Sequence, residues 1–184
     1  MRCGSAWPIE LTGTRVRVRS LTEADLGRTL EWRNHPQSRQ WFKSSALIDE
    51  GTHRAWYRSY SSKATELMFF VETWPDREPL GQGGIYDVDT AARRAEVGRF
   101  VSDPRSRGQG LFREALELML DHAFGAMRLD EVHLEVVPAN ERAIRLYRSL
   151  GFVDTGDDGS MLHMSLRARD FAAHRPAAHA QHGK

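Results

Sequence analysis

Hydrophobic and polar positions change period several times along the chain. Over 14–19, Val16 and Val18 alternate with arginines, which predicts a half-buried strand. Thr22 opens a helix with Asp25 at its third position, a variant of the capping box, and His35-Pro36 ends it near Arg33. A second helical stretch covers about 49–61. The run ELMFFVE at 66–72 predicts a strand, 75–79 a turn, 80–88 a glycine-rich strand and 94–102 the next one, with the hairpin between them at 87–92.

The second half alternates strand and helix. Gly108 opens a long helix to about 126, where Leu111, Ala115, Met119 and Ala123 repeat at helical spacing. Phe112, Leu116, Leu120 and Phe124 widen that stripe, so the helix is well buried. The strand at 131–137 puts Leu134 and Val136 on one face and His133 and Glu135 on the other. Asn140 caps a helix that Gly151 stops. Segments 152–155 and 161–166 form a closing hairpin over 156–159. The pattern is mixed α/β, with an extension at 1–13, one domain at 14–169 and a flexible tail at 170–184. In that tail His174, His179 and His182 follow no periodicity and read as a frayed terminus in preference to a metal site.

Composition narrows the class. A length of 184 residues suits one domain, and 40% hydrophobic with 28% charged residues suits an ordinary globular protein. No apolar run approaches the roughly 20 residues of a membrane span, and the N-terminus lacks the apolar core of a secretory signal. The lone Cys3 excludes an intramolecular disulfide and a cysteine metal cluster, so a reducing, cytoplasmic setting is expected. A net charge of +1 points to neither nucleic acid nor a membrane surface as partner. Locally, Arg93, Arg94, Arg99, Arg105, Arg107 and Arg113 face only Glu96 and Asp103. That run suits a polyanionic ligand or a solvated basic surface.

The sharpest motif is Arg105-Ser106-Arg107-Gly108-Gln109-Gly110, after a strand and opening a helix. Glycines let backbone N–H groups approach a phosphate, and a helix N-terminus leaves such groups without intrahelical partners. The helix dipole and the guanidinium groups add positive charge, a combination suited to a pyrophosphate. No Lys-Ser/Thr pair follows as in a Walker loop, and the glycine spacing is not that of a dinucleotide fold. A glycine-rich turn that binds nothing fits the same pattern.

Arg-x-x-Gly-x-Gly at a strand–helix junction resembles the acetyl-CoA signature of the GNAT superfamily. Downstream, Leu134-Glu135-Val136, Asn140, Ala143, Leu146-Tyr147 and Leu150-Gly151-Phe152 resemble its LEV…N…A…LY…LGF block. The two blocks cover about 94–153. The resemblance implies a single-domain α/β (α+β) fold. Its sheet would be mixed, mostly antiparallel and six- to seven-stranded, with helices on both faces and splayed central strands. It also implies acetyl-CoA as co-substrate, without a metal. Backbone groups near Phe100 and Val101 would hold the pantetheine arm. Amides from Arg105 through Arg107, Gly108, Gln109, Gly110 and Leu111 to Phe112 would hold the pyrophosphate, and Asn140 would reach the cofactor. One departure stands out: Gly98 and Pro104 are six apart where the superfamily usually has five, so an extra residue, Asp103, is expected to bulge.

Acetyl transfer needs a neutral amine, a base to take its proton and an acid for the departing thiolate. The resemblance places Tyr147 beside the thioester sulfur as the acid, although periodicity alone favours a core tyrosine packed on the sheet. Glu135, on the strand face of His133, corresponds to the proposed base of ribosomal-protein N-terminal acetyltransferases. Glu96 is its rival on the neighbouring strand, His133 is a third candidate, and transfer without a direct protein base stays open. For the acceptor, Trp32, Arg33, Asn34, His35 and His133 form the candidate set. EWRNHP with Trp41-Phe42 and His53-x-x-Trp56 resembles N-acetyltransferases that modify nucleotide-linked amino sugars. An amino sugar is thus the first acceptor class, ahead of a protein N-terminus and other small amines. An acyl-CoA sensor without turnover is the non-enzymatic alternative, and a homodimer is expected from resemblance alone.

Overall fold

A computed structural model describes residues 8–106 and 108–174. Its centre is one mixed sheet of eight strands in the order β1-β2-β3-β4-β5-β6-β8-β7. The strands are β1 Glu10–Thr12, β2 Val16–Ser20, β3 Leu67–Thr73, β4 Pro79–Asp89, β5 Arg94–Ser102, β6 Glu131–Val136, β7 Val153–Asp157 and β8 Leu162–Arg167. All neighbours are antiparallel except β5 and β6. The additional strand is β1, inside the stretch expected to be an extension. It pairs Glu10 with Arg19 and Thr12 with Arg17, and Ile9 before it is buried. Three residues are too few for an alternation to register.

Helices lie on both faces because β3 is apolar on both. Phe69 and Val71 join the larger core, while Met68 and Phe70 join a second core with Leu21, Leu26, Trp32 and Tyr60. Successive strand residues point to opposite faces, so a continuous apolar run marks a strand covered on both. The second core is closed by α1 Leu26–Asn34 and α3 Glu50–Ser62, with the short α2 Pro36–Arg39 following α1. At the start, the Asp25 carboxylate accepts from the Thr22 N–H at 2.9 Å and the Thr22 hydroxyl at 2.8 Å. His35 leaves the helical conformation (ψ 131°) and caps α2.

On the other face α4 Leu111–Asp121 supplies Leu111, Ala115, Leu116, Met119 and Leu120 to the larger core. The helix begins three residues after the expected Gly108, because Gly108 (φ 88°) and Gly110 (φ 73°) are left-handed. A wide turn at His122–Ala126 prolongs it, with the Met127 N–H donating to the His122 carbonyl at 3.0 Å. α5 Glu141–Ser149 follows Asn140, whose side chain caps it by accepting from the Ala143 N–H at 3.3 Å. The expected tail starts too early: Ala168–His174 forms α6, and Phe171 is buried beside Phe124, ring centroids 5.5 Å apart. His174 belongs to that helix, while Cys3, Arg107, His179 and His182 lie outside the described residues. No helix among the described residues is long and apolar enough to cross a membrane.

Candidate active site

The site begins where two strands part. β5 and β6 pair only at Arg94↔Glu131, Ala95↔Val132 and Glu96↔His133, although β5 continues to Ser102 and β6 to Val136. Beyond Glu96 their facing edges diverge into a cleft of about 1040 Å³. Splayed strands leave backbone N–H and C=O groups facing a space instead of a neighbour, which suits an amide-bearing chain laid between them.

A bulge shapes the β5 wall. Gly84 pairs with Gly98 but Gln82 pairs with Val101, so β5 carries one extra residue, and Arg99 there is left-handed (φ 55°). This corrects the expectation that Asp103 holds the insertion. The extra residue falls at Arg99–Phe100, and two glycines make room for what it displaces. A Cβ at Gly83 would stand 2.5 Å from the Phe100 ring, and one at Gly98 2.5 Å from the Tyr86 hydroxyl. Phe100 and Val101 line the cleft, as expected of them.

Asp103 instead closes the lower end as a buried junction. Its carboxylate accepts from Arg105 Nη2 at 2.7 Å and from Trp32 Nε1 at 3.2 Å. The Arg105 hydrogen bonds outweigh burial and hold its pKa down at about 2. Arg105 is therefore engaged with Asp103 and does not line the cleft. Gly108, Gly110, Leu111 and Phe112 do line it. Gln109 does not, and its carbonyl accepts from Arg15 Nη1 at 3.2 Å. Among the described residues the cations that line the cleft here are Arg113, at the start of α4, and Arg142, in the first turn of α5. The Arg113 guanidinium donates to Glu117 at 2.9 Å and to the Ser149 carbonyl at 3.2 Å. Arg113 belongs to the arginine run noted in the sequence, whereas Arg142 is one of three arginines on α5 and nothing local marks it out.

Asn140 and Tyr147 line the opposite wall. Tyr147 is 8% exposed, its ring 6.2 Å from that of Phe100 and 5.8 Å from that of Phe152. Burial pushes its pKa up, so the phenol keeps its proton at neutral pH. Glu96 and Glu135 both face the cleft. Glu96 accepts from the Tyr86 hydroxyl at 2.6 Å, and His133 stands 4.0 Å from its other oxygen. Burial and then the Glu96 carboxylate raise the Tyr86 pKa, which keeps that hydroxyl a donor. Glu135 pairs with Lys43 and stands 3.6 Å from His163 Nδ1. His133 does not line the cleft.

Of the expected acceptor residues only Arg33 reaches the cleft. Its guanidinium lies 4.0 Å over the Phe42 ring and donates to the Ser44 carbonyl at 2.8 Å. Trp32 is core: 2% exposed and stacked on Phe70. Asn34 donates to the Ile48 carbonyl at 2.8 Å and accepts from its N–H at 2.9 Å, fastening the segment between α2 and α3. His35 accepts from the Gln37 N–H at 3.2 Å. Within this motif the polar groups of Asn34 and His35 hold backbone and Trp32 packs in the core, so the motif's polar character does not mark a binding face.

Known proteins match this geometry. Residues 15–153 match the acetyltransferase (GNAT) domain family. The chain is 30% identical over 151 residues to spermidine N(1)-acetyltransferase of Escherichia coli K12, covering 80% of this chain and 76% of that one. Among solved structures, spermidine N-acetyltransferase from Vibrio cholerae in complex with CoA and spermine superposes with a TM-score of 0.78 at 20% identity. It covers 87% of this chain and 99% of its own. A nucleotide-linked sugar GNAT, FdhC, superposes with a TM-score of 0.80 at 16% identity, over 90% and 94% of the two chains. Diverging central strands, a glycine turn leading into a helix and a family match over most of the chain converge, and the protein belongs to the GNAT acetyltransferase family, whose members transfer the acetyl group of acetyl-CoA.

Proposed function

We propose that this N-acetyltransferase acts on the primary amine of an anionic small molecule, an amino sugar linked to a nucleotide being the class that fits best. One observation carries the acceptor class: among the described residues Arg33, Lys43, Arg99, Arg113 and Arg142 line the cleft with two carboxylates, Glu96 and Glu135, and although Arg99 pairs with Glu66 and Arg113 with Glu117 behind the lining, the balance stays positive. A wall of that charge draws anionic molecules and repels polycations. Arg113 and Arg142 stand at the phosphate end, which leaves Arg33, Lys43 and Arg99 toward the acceptor. The family relatives named for spermidine supply the competing acceptor class.

The residues present fit acetyl-CoA. Diverging strand edges from Gly98 to Ser102 suit the amides of its pantetheine arm, and Gly108, Gly110 and the start of α4 with Arg113 and Arg142 suit its phosphates. When bound, acetyl-CoA supplies a thioester carbonyl open to attack by an amine. In this reading both substrates are held together and the amine attacks directly. Glu96 takes the amine proton: it accepts only a neutral phenol hydrogen bond at close range, whereas Glu135 already carries the ammonium of Lys43. Tyr147, kept protonated by burial, donates to the departing sulfur.

A panel assay of CoA release tests this. Nucleotide-linked amino sugars should turn over with kcat/KM at least about tenfold above spermidine and above peptides with a free N-terminus, a preference of about 1.4 kcal/mol. Spermidine as the best substrate would refute the anionic class. Acetyl-CoA binding without turnover of any amine would favour a sensor.

A further inference from the structure

We infer that Lys43 sets the acceptor's charge class: by occupying Glu135 it denies the cleft a second cation-free carboxylate beside Glu96, and so disfavours polyamines, whose further ammonium groups need one. The inference deepens the anionic-acceptor reading and rests on it.

Recognition of a polyamine requires carboxylates that face its ammonium groups and carry no other cation. Among the described residues the cleft has one, Glu96, which accepts from the neutral Tyr86 hydroxyl at 2.6 Å and is the group assigned above to the amine being acetylated. Glu135 is taken by Lys43, with His163 Nδ1 at 3.6 Å from its other oxygen. Nearby Glu66, behind the wall, accepts from Arg99 Nη1 at 2.7 Å and also pairs with Lys63. Glu135 and Glu66 thus each carry a cation from the chain itself.

Lys43 differs from the other donors in where it comes from. Tyr86 and Arg99 are sheet residues and Lys63 directly follows α3, whereas Lys43 sits on the segment between α2 and α3. That segment is fastened at several points. Arg33 Nη2 reaches the Ser44 carbonyl at 2.8 Å, Arg39 Nη1 the Ser45 carbonyl at 3.2 Å, and Asn34 both backbone groups of Ile48. Lys43 is presented from this anchored segment with its side chain 67% exposed, and it meets a Glu135 side chain only 24% exposed. A substrate ammonium that displaced Lys43 would exchange one ion pair for another, with no net gain. Without Lys43 the same contact would be gained outright, which at a site of this exposure is about a fivefold effect. An amine borne on an anionic molecule needs no such carboxylate and can use the lysine itself.

The test compares kcat/KM for spermidine and for a nucleotide-linked amino sugar in the wild type, Lys43→Met, Lys43→Gln and Lys43→Glu, with acetyl-CoA affinity measured alongside. Spermidine kcat/KM should rise about fivefold in Lys43→Met and Lys43→Gln and further in Lys43→Glu, while acetyl-CoA affinity holds. Adding Glu135→Gln to Lys43→Met should remove the gain. If spermidine turnover stays flat or falls in both neutral variants with acetyl-CoA affinity intact, the inference is overturned. A wild type that already prefers spermidine overturns the anionic-acceptor reading instead.

Discussion

Tyr147 and Gly98 show how single side chains decide the chemistry. Tyr147 reaches the cleft from α5 and sits between Phe100 and Phe152, which leaves the hydroxyl as its only polar contribution. Tyr147→Phe should therefore lower kcat about a hundredfold and leave acetyl-CoA affinity within about twofold, read by steady-state kinetics and calorimetry. Equal kcat in the two proteins would remove Tyr147 from the acid role. Gly98 acts through absence, since a Cβ there would lie 2.5 Å from the Tyr86 hydroxyl. Gly98→Ala should push that hydroxyl off Glu96 and lower kcat about tenfold, and Tyr86→Phe should reproduce the loss, because both remove the same hydrogen bond. A Gly98→Ala enzyme of wild-type kcat would show that the contact does not matter for turnover.

At the level of elements, the junction of α1 with the end of β5 holds the site's lower end. Trp32 is buried in the second core and donates to Asp103, so it joins packing to a charged hydrogen bond. Trp32→Ala should cost about 3–5 kcal/mol, measured by urea unfolding. Asp103 adds a pH dependence. Its pKa is lowered from the ordinary 3.8 to about 2, so its contribution is fully present above about pH 4 and is lost as pH falls toward 2. Asp103→Asn should flatten the acid limb of the stability curve between those values, and an unchanged limb would mean that Arg105 does not hold the carboxylate in solution. The elements themselves were readable from periodicity: the expected limits of β5 coincide with the observed ones, and those of α5 agree within a residue or so. The bulge was not readable. The Gly98-to-Pro104 spacing announces an extra residue, but its position depends on pairing with β4, where Gly83 tolerates the displaced Phe100 ring.

For the molecule as a whole, the relevant field is local, since the net charge is only +1. Arg113 from α4 and Arg142 from α5 converge on one end of the cleft, and neither helix alone builds that site. Replacing both by alanine should weaken acetyl-CoA binding at least tenfold and reduce its salt dependence, measured by titration calorimetry at two ionic strengths. Replacing Arg105 should matter far less, because it does not line the cleft. Two equal effects would put the phosphates nearer Arg105 than the lining of the cleft indicates.

Features that live within one element or one turn could be read before any fold was known. The alternation of β2, the wide apolar stripe of α4, the Asn140 cap and the glycine turn before Leu111 each follow from neighbouring residues, because helix and strand periods are local. Family membership was legible for the same reason: both cofactor-related blocks are short and contiguous. Which arginines face the cleft, that Trp32 is core, and that Lys43 meets Glu135 depend on elements distant in sequence. Only packing the helices on the two faces of the sheet and parting β5 from β6 brings those groups together, since side-chain partners across elements carry no local period.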